Sequence, residues 1–134
     1  MPSFVVEIHD NQAFLDSLVG SRGSAASPEI FTAQLDTGAQ RTLISEKVVN
    51  LLGLVPTDTV PIRSVSGQVT DTDEFHVHIG IPIPTGTSSV FTSNTSLSML
   101  LLPYQPSKFD VLLGMDFLTN FHITLFGKRI IISN

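Results

Sequence analysis

One stretch constrains this chain more than any other. Phe31, Ala33 and Leu35 alternate with Thr32, Gln34 and Asp36, and the alternation runs directly into Thr37-Gly38-Ala39. A period of two sends successive side chains to opposite faces, so the stretch predicts a strand with Asp36 at its end. The tripeptide Asp36-Thr37-Gly38 is weak on its own, because Asp and Gly are ordinary turn residues. Such a triplet arises by chance in roughly a few per cent of chains of this length. What flanks it has to decide between a turn or cap and a site.

The rest of the chain reads as mostly β. Phe4, Val5, Val6 and Ile8 predict a first strand, and the small residues from Gly20 to Pro28 predict a loop. Ser45 is a suitable N-cap, Val48, Val49, Leu51 and Leu52 fall at helical spacing, and Gly53 is a stop, so a helix of about two turns is expected. Val60 and Ile62, a turn at Ser66-Gly67, and then Phe75, Val77, Ile79 and Ile81 predict a long hairpin. Pro84 to Ser98 is rich in Ser, Thr and Gly and reads as an excursion outside the core, with Val90 and Phe91 anchoring at most a brief strand. Leu97 to Leu102 and Val111 to Leu113 predict buried strands, Met115 to Phe121 a short helix, and Ile123 to Ser133 a terminal hairpin.

Composition bounds the function. At 134 residues, 42% hydrophobic, the chain is the size of a single domain spanning 1–134. Only 14% of residues are charged, so part of the surface is expected to lie against a partner. A net charge of −5 without a run of Lys or Arg argues against a nucleic-acid partner. With no cysteine, disulfides, thiolate nucleophiles and cysteine-based zinc sites are excluded. His76-Val77-His78 places two imidazoles on one strand face without a nearby third ligand, so a solvent-facing hairpin edge is expected and no metal or other cofactor. Asn94-Thr95-Ser96 fits a glycosylation sequon, and without a leader it reads as a polar loop. Met1 to Asp10 lacks a basic region followed by a long apolar one, and the longest apolar run is Met99 to Leu102. A cytoplasmic protein without membrane association is the expectation.

Three features follow Asp36 in order: the helix-forming stretch after Thr42-Leu43-Ile44-Ser45, the hairpin around Ser64-Val65-Ser66-Gly67, and Phe109-Asp110-Val111-Leu112-Leu113-Gly114-Met115-Asp116-Phe117-Leu118. With Asp36-Thr37-Gly38-Ala39-Gln40, this order resembles the retropepsin-like aspartic proteases from Ile30 to the end of the chain. Within them it is similar to the Ddi-type retropepsin-like domain and to small bacterial members. The resemblance implies a closed, barrel-like β subunit with one or two short helices that works as a homodimer. It implies a flap at Ser64, Val65, Ser66 and Gly67, and support of the Asp36-Thr37-Gly38-Ala39 turn by Leu112, Leu113 and Gly114. Thr37 hydroxyls would cross-link the two turns, and Gly38 would bring a backbone N–H to the carboxylates. Viral members often carry an Arg after the supporting Gly, paired with an acid just past the turn. Here Met115 and Gln40 stand at those positions, so that ion pair is expected to be missing. Asp116 is expected as a helix-start charge or a hydrogen-bond acceptor rather than a second catalytic acid.

The chemistry needs two carboxylates sharing one proton about a water, aspartic proteases being the standard example. Asp36-Thr37-Gly38 is the only such triplet in the chain, since Asp110 and Asp116 lack the following Thr/Ser-Gly. A symmetric dimer supplies the second acid. An extended peptide would then add as a strand beneath the flap, with apolar pocket walls for which Val65 and Leu112 are candidates. The apolar terminal segments, Met1 to Ile8 and Arg129 to Ser133, are expected to contribute to the dimer sheet. The alternative is a non-catalytic or weakly active module that keeps dimer and groove and captures a peptide or serves as an assembly domain, and a weaker one is a structural barrel with a coincidental triplet.

Overall fold

The structure, a computed structural model, describes residues 3–21, 28–84 and 90–133. Ten strands and two short helices follow in the order β1 (Ser3–His9), β2 (Gln12–Ser21), β3 (Glu29–Leu35), β4 (Leu43–Ile44), α1 (Glu46–Leu52), β5 (Asp58–Arg63), β6 (Val69–Pro84), β7 (Val90–Leu101), β8 (Val111–Leu113), α2 (Met115–Leu118), β9 (His122–Phe126) and β10 (Arg129–Ser133). The sheet order is β5-β6-β7-β4-β8-β3-β2-β1-β10-β9, and β6 also pairs with β2. That extra pairing closes β2, β3, β8, β4, β7 and β6 into a six-stranded barrel, which removes free edges from the core.

Inward-facing residues follow the period of two. Phe75, Val77, Ile79 and Ile81 of β6 are buried, and His76 and His78 between them are exposed. Phe31 and Ala33 of β3, Val111 and Leu113 of β8, and Val48, Phe117 and Leu118 from the helices complete the interior. A second cluster of Val6, Ala13 and Ile132 lies where the terminal strands meet β2. Removing this much apolar surface from water is what holds so lightly charged a chain together.

Helix α1 forms as its caps dictate. Ser45 accepts a hydrogen bond from the Val48 N–H, and Gly53 ends the helix at φ 62°, a conformation that favours glycine. Helix α2 covers Met115–Leu118, shorter than the expected Met115 to Phe121, because Asn120 and Phe121 continue as turns bonded to Phe117 and Leu118. The terminal hairpin forms as expected, with Arg129 opposite Phe126 and Ser133 opposite His122, and β10 also pairs with β1 from Ser3–Ser133 to Glu7–Arg129.

Two expectations are corrected. Of the expected excursion from Pro84 to Ser98, residues 85–89 lie outside the described residues and the rest is strand. β7 runs from Val90 to Leu101 beside β6, from Glu74–Leu100 to Pro84–Val90. Its Ser and Thr residues supply backbone ladder bonds on a barrel wall, where cross-strand pairing overrides composition. His76 and His78 are exposed as expected, but His78 does not lie on a sheet edge, since it pairs with Ser96 of β7 on one side and Gly20 of β2 on the other, while His76 pairs with Ser98 of β7. Their Nδ1 atoms lie 2.8 Å and 3.1 Å from the hydroxyls of Ser98 and Ser96. The predicted loop from Gly20 to Pro28 falls mostly on 22–27, outside the described residues, while Gly20 and Ser21 end β2.

Candidate active site

Strand β3 delivers Asp36 as the pattern predicts, and β8 explains why the turn holds. β8 pairs parallel with β3, from Ala33–Val111 to Leu35–Leu113, and antiparallel with β4, Leu43–Leu112 and Ile44–Val111. The chain therefore leaves along one neighbour of β8, turns through Asp36 to Ala39, and returns along the other. The Asp36 N–H donates to the Leu113 carbonyl at 3.0 Å, and the Ala39 N–H to the Asp36 carbonyl at 3.2 Å. The Gly38 N–H donates to Asp36 Oδ1 at 2.9 Å. A Cβ on Gly38 would lie 3.2 Å from the same oxygen, a tight approach that glycine eases. Asp36 is half-buried, and Thr37 and Gly38 are exposed, so one face of the carboxylate turn is open.

Gly114 is required by proximity. A Cβ there would sit 2.5 Å from the Arg41 carbonyl oxygen and 2.9 Å from that of Ala39. This close approach lets the Met115 N–H donate to the Ala39 carbonyl at 2.8 Å and the Asp116 N–H to the Gln40 carbonyl at 3.2 Å. Leu113 is fully buried under the turn, and Leu112 is half-buried beside Gln34 and Leu43.

A polar chain locks this floor. The Gly114 N–H donates to Thr42 Oγ1 at 3.1 Å, and that hydroxyl donates to Asp116 Oδ1 at 2.7 Å. The Thr42 N–H donates to Asp116 Oδ2 at 3.0 Å. Thr42 is fully buried, so its satisfied hydroxyl avoids the cost of a stranded polar group. Asp116 is thus the hydrogen-bond acceptor the sequence predicts. Ser45 repeats the device alongside, its hydroxyl 3.0 Å from Asp110 Oδ1 and its N–H donating to the Asp110 carbonyl at 2.9 Å.

Ser64 to Gly67 form the tip of the β5–β6 hairpin. The Gly67 N–H donates to the Ser64 carbonyl at 2.9 Å, the Ser64 N–H to the Gln68 carbonyl at 2.8 Å, and Gly67 sits at φ 86°. Val65 is fully exposed at the tip, whereas Leu112 belongs to the barrel wall. A cavity of about 610 Å³ lies between the β1–β2 and β9–β10 turns, lined by Glu7, Ile8, His9, Asp10, Phe126, Gly127, Lys128 and Arg129 rather than by the Asp36 turn. Among the described residues, no His, Cys, Asp and Glu cluster could hold a metal ion, and no helix is long and apolar enough to cross a membrane.

Sequence reasoning missed Arg41 and Glu74. Arg41 Nη2 lies 2.7 Å from Glu74 Oε2 and donates to the Ser98 carbonyl at 3.0 Å, while its Nε lies 3.7 Å from Asp116 Oδ2. Gln40 and Met115 leave the viral-type ion pair chemically impossible, and the charge contact at this turn is made instead by the adjacent Arg41. No local signal marks it, because Arg41 and Glu74 are 33 positions apart.

A closed six-stranded barrel that presents one Asp-Thr-Gly turn on a floor of Leu-Leu-Gly has the retropepsin-like architecture. The family model described as "gag-polyprotein putative aspartyl protease" matches residues 27–120, more than half the chain, and the chain belongs to that family. Among solved structures, it is similar to a retropepsin-like aspartic protease from Rickettsia conorii. The TM-score is 0.61 at 13% identity, over 97% of this chain and 89% of that one. No curated protein matches the sequence.

Proposed function

We propose that the chain is an aspartic endopeptidase assembled as a homodimer, with the two Asp36 carboxylates flanking one water. The observation that carries this reading is Asp36 at an open strand-end turn, its Oδ1 engaged by the Gly38 N–H. In the shared-proton state one carboxylate draws a proton from the water, and the protonated one donates to the scissile carbonyl. The water attacks that carbonyl carbon, and the proton passes on to the leaving nitrogen. Thr37, Gly38 and Ala39 shape the turn, and Leu112, Leu113 and Gly114 support it. Ser64, Val65, Ser66 and Gly67 close over an extended peptide.

The terminal sheet supports a second copy as the partner. Among the described residues β9 pairs only with β10, which leaves its other edge without a strand partner there, and every residue from His122 to Phe126 is exposed. Phe126, 75% exposed, shares a sheet face with Ile131 and Val5, whereas Leu125, 68% exposed, stands on the opposite face. Edge pairing between two β9 strands around a twofold axis would satisfy the backbone groups of both edges and set the side chains of β9 beside those of the second copy.

The test is cleavage of a diverse peptide library between about pH 3 and 7 by wild type and by Asp36→Asn, with sedimentation on the same samples. Cleavage by a wild-type dimer and none by the variant dimer is the expected result. A dimer that captures peptides intact, equally well with Asp36→Asn, would instead establish the binding-module alternative.

A further inference from the structure

The hairpin carrying Ser64 to Gly67 projects from the barrel, and residues 61–71 are all exposed. It joins the barrel at Glu74. This residue is the last of β6 to pair with β5, opposite Asp58, and the first to pair with β7, opposite Leu100. Its carbonyl accepts the Thr57 N–H at 2.8 Å at the entrance to β5, and the next residue, Phe75, is buried in the barrel. Any swing of the hairpin relative to the barrel is therefore centred here.

The side chain at this position does not face solvent. The Glu74 carboxylate, 15% exposed, takes the Arg41 guanidinium at 2.7 Å. Arg41 lies five residues beyond Asp36, and its guanidinium also holds the Ser98 carbonyl of β7 and approaches Asp116. Asp116 in turn fixes Thr42, whose hydroxyl receives the Gly114 N–H. One connected set of polar contacts thus runs from the base of the hairpin to the floor of the Asp36 turn.

We propose that Arg41 and Glu74 are positioning residues that pin the pivot of the β5–β6 hairpin to the Asp36 turn and so set how the hairpin closes over a bound peptide. The role in peptide binding rests on the proteolytic reading, whereas the mechanical coupling does not. A fork of guanidinium donors suits the task, since it holds a carboxylate and a carbonyl on two adjacent strands at fixed geometry. The Arg41 side chain is 37% exposed, so solvent screening limits the effect of losing the pair.

The experiment uses the full chain and compares wild type with Glu74→Ala, which removes the carboxylate but keeps the Thr57 backbone bond, and with Glu74→Gln, which retains an acceptor for Arg41. Hydrogen exchange is read in β5 and residues 69–73 of β6 against residues 77–81 of the same strand. Glu74→Ala is expected to speed exchange in the hairpin about fivefold with the barrel portion unchanged, and Glu74→Gln to fall between. Steady-state cleavage is expected to show KM raised about fivefold with kcat within about twofold. Unchanged hairpin exchange, or an equal rise in the barrel, overturns the proposal. If the wild type cleaves nothing, the proteolytic reading fails on its own, and the exchange pattern still decides the coupling.

Discussion

Thr42 is the single residue on which the floor of the Asp36 turn converges, since its hydroxyl both donates to Asp116 and accepts from Gly114. Thr42→Val keeps the shape and removes both bonds, stranding a buried N–H and one oxygen of a carboxylate. The expected cost is about 2–3 kcal/mol, read as a fall in the urea midpoint at unchanged slope, while Thr42→Ser stays within about 1 kcal/mol of wild type because it keeps the hydroxyl. Asp36, Thr37, Gly38 and Gly114 were legible at this scale because each belongs to a contiguous pattern of strand and turn. Arg41 and Glu74 were not, because their contact depends on how β6 and β7 close the barrel.

Helix α1 shows why some elements declare themselves. Its start at Ser45 and stop at Gly53 are local chemistry, written within nine residues, and the structure places both caps where the sequence does. Strand β2 carries no clean signal: Ala13, Ser17 and Val19 face inward, but Phe14 and Leu18 are apolar on the opposite parity. Strand β7 was hidden by polar composition, and its place follows from pairing with β6 and, through Leu100 and Leu101, with β4. The buried Ser45 hydroxyl serves both α1 and the loop before β8, meeting the Val48 N–H at 3.4 Å and Asp110 at 3.0 Å. Ser45→Ala is accordingly expected to cost about 1–2 kcal/mol. In an Asp110→Ala background, which removes the acceptor, the same substitution should cost less, so a double-mutant cycle by urea unfolding tests whether cap and loop are coupled. Strict additivity would mean the serine acts on the helix alone.

At the scale of the whole molecule, the barrel is closed but the proposed chemistry is not, because one chain supplies one Asp-Thr-Gly turn. That shortage makes a prediction independent of any structure of the dimer. If the two carboxylates come from two copies, Asp36→Asn subunits should poison wild-type subunits by forming mixed dimers that hold a single acid. With random association, an equal amount of Asp36→Asn added to a fixed amount of wild type leaves about half the rate, and a threefold excess about a quarter. A chain that cleaves by itself would show no loss at any ratio. The apolar edge of β9 supplies the matching control. Leu125→Lys in the Asp36→Asn chain places a charge on the 68% exposed position proposed to meet the second copy, which should keep that chain folded by circular dichroism yet monomeric by sedimentation. Unable to enter mixed dimers, it should lose its power to inhibit. Poisoning that persists in the doubly substituted chain would place the contact between copies away from β9 while leaving the shared dyad intact.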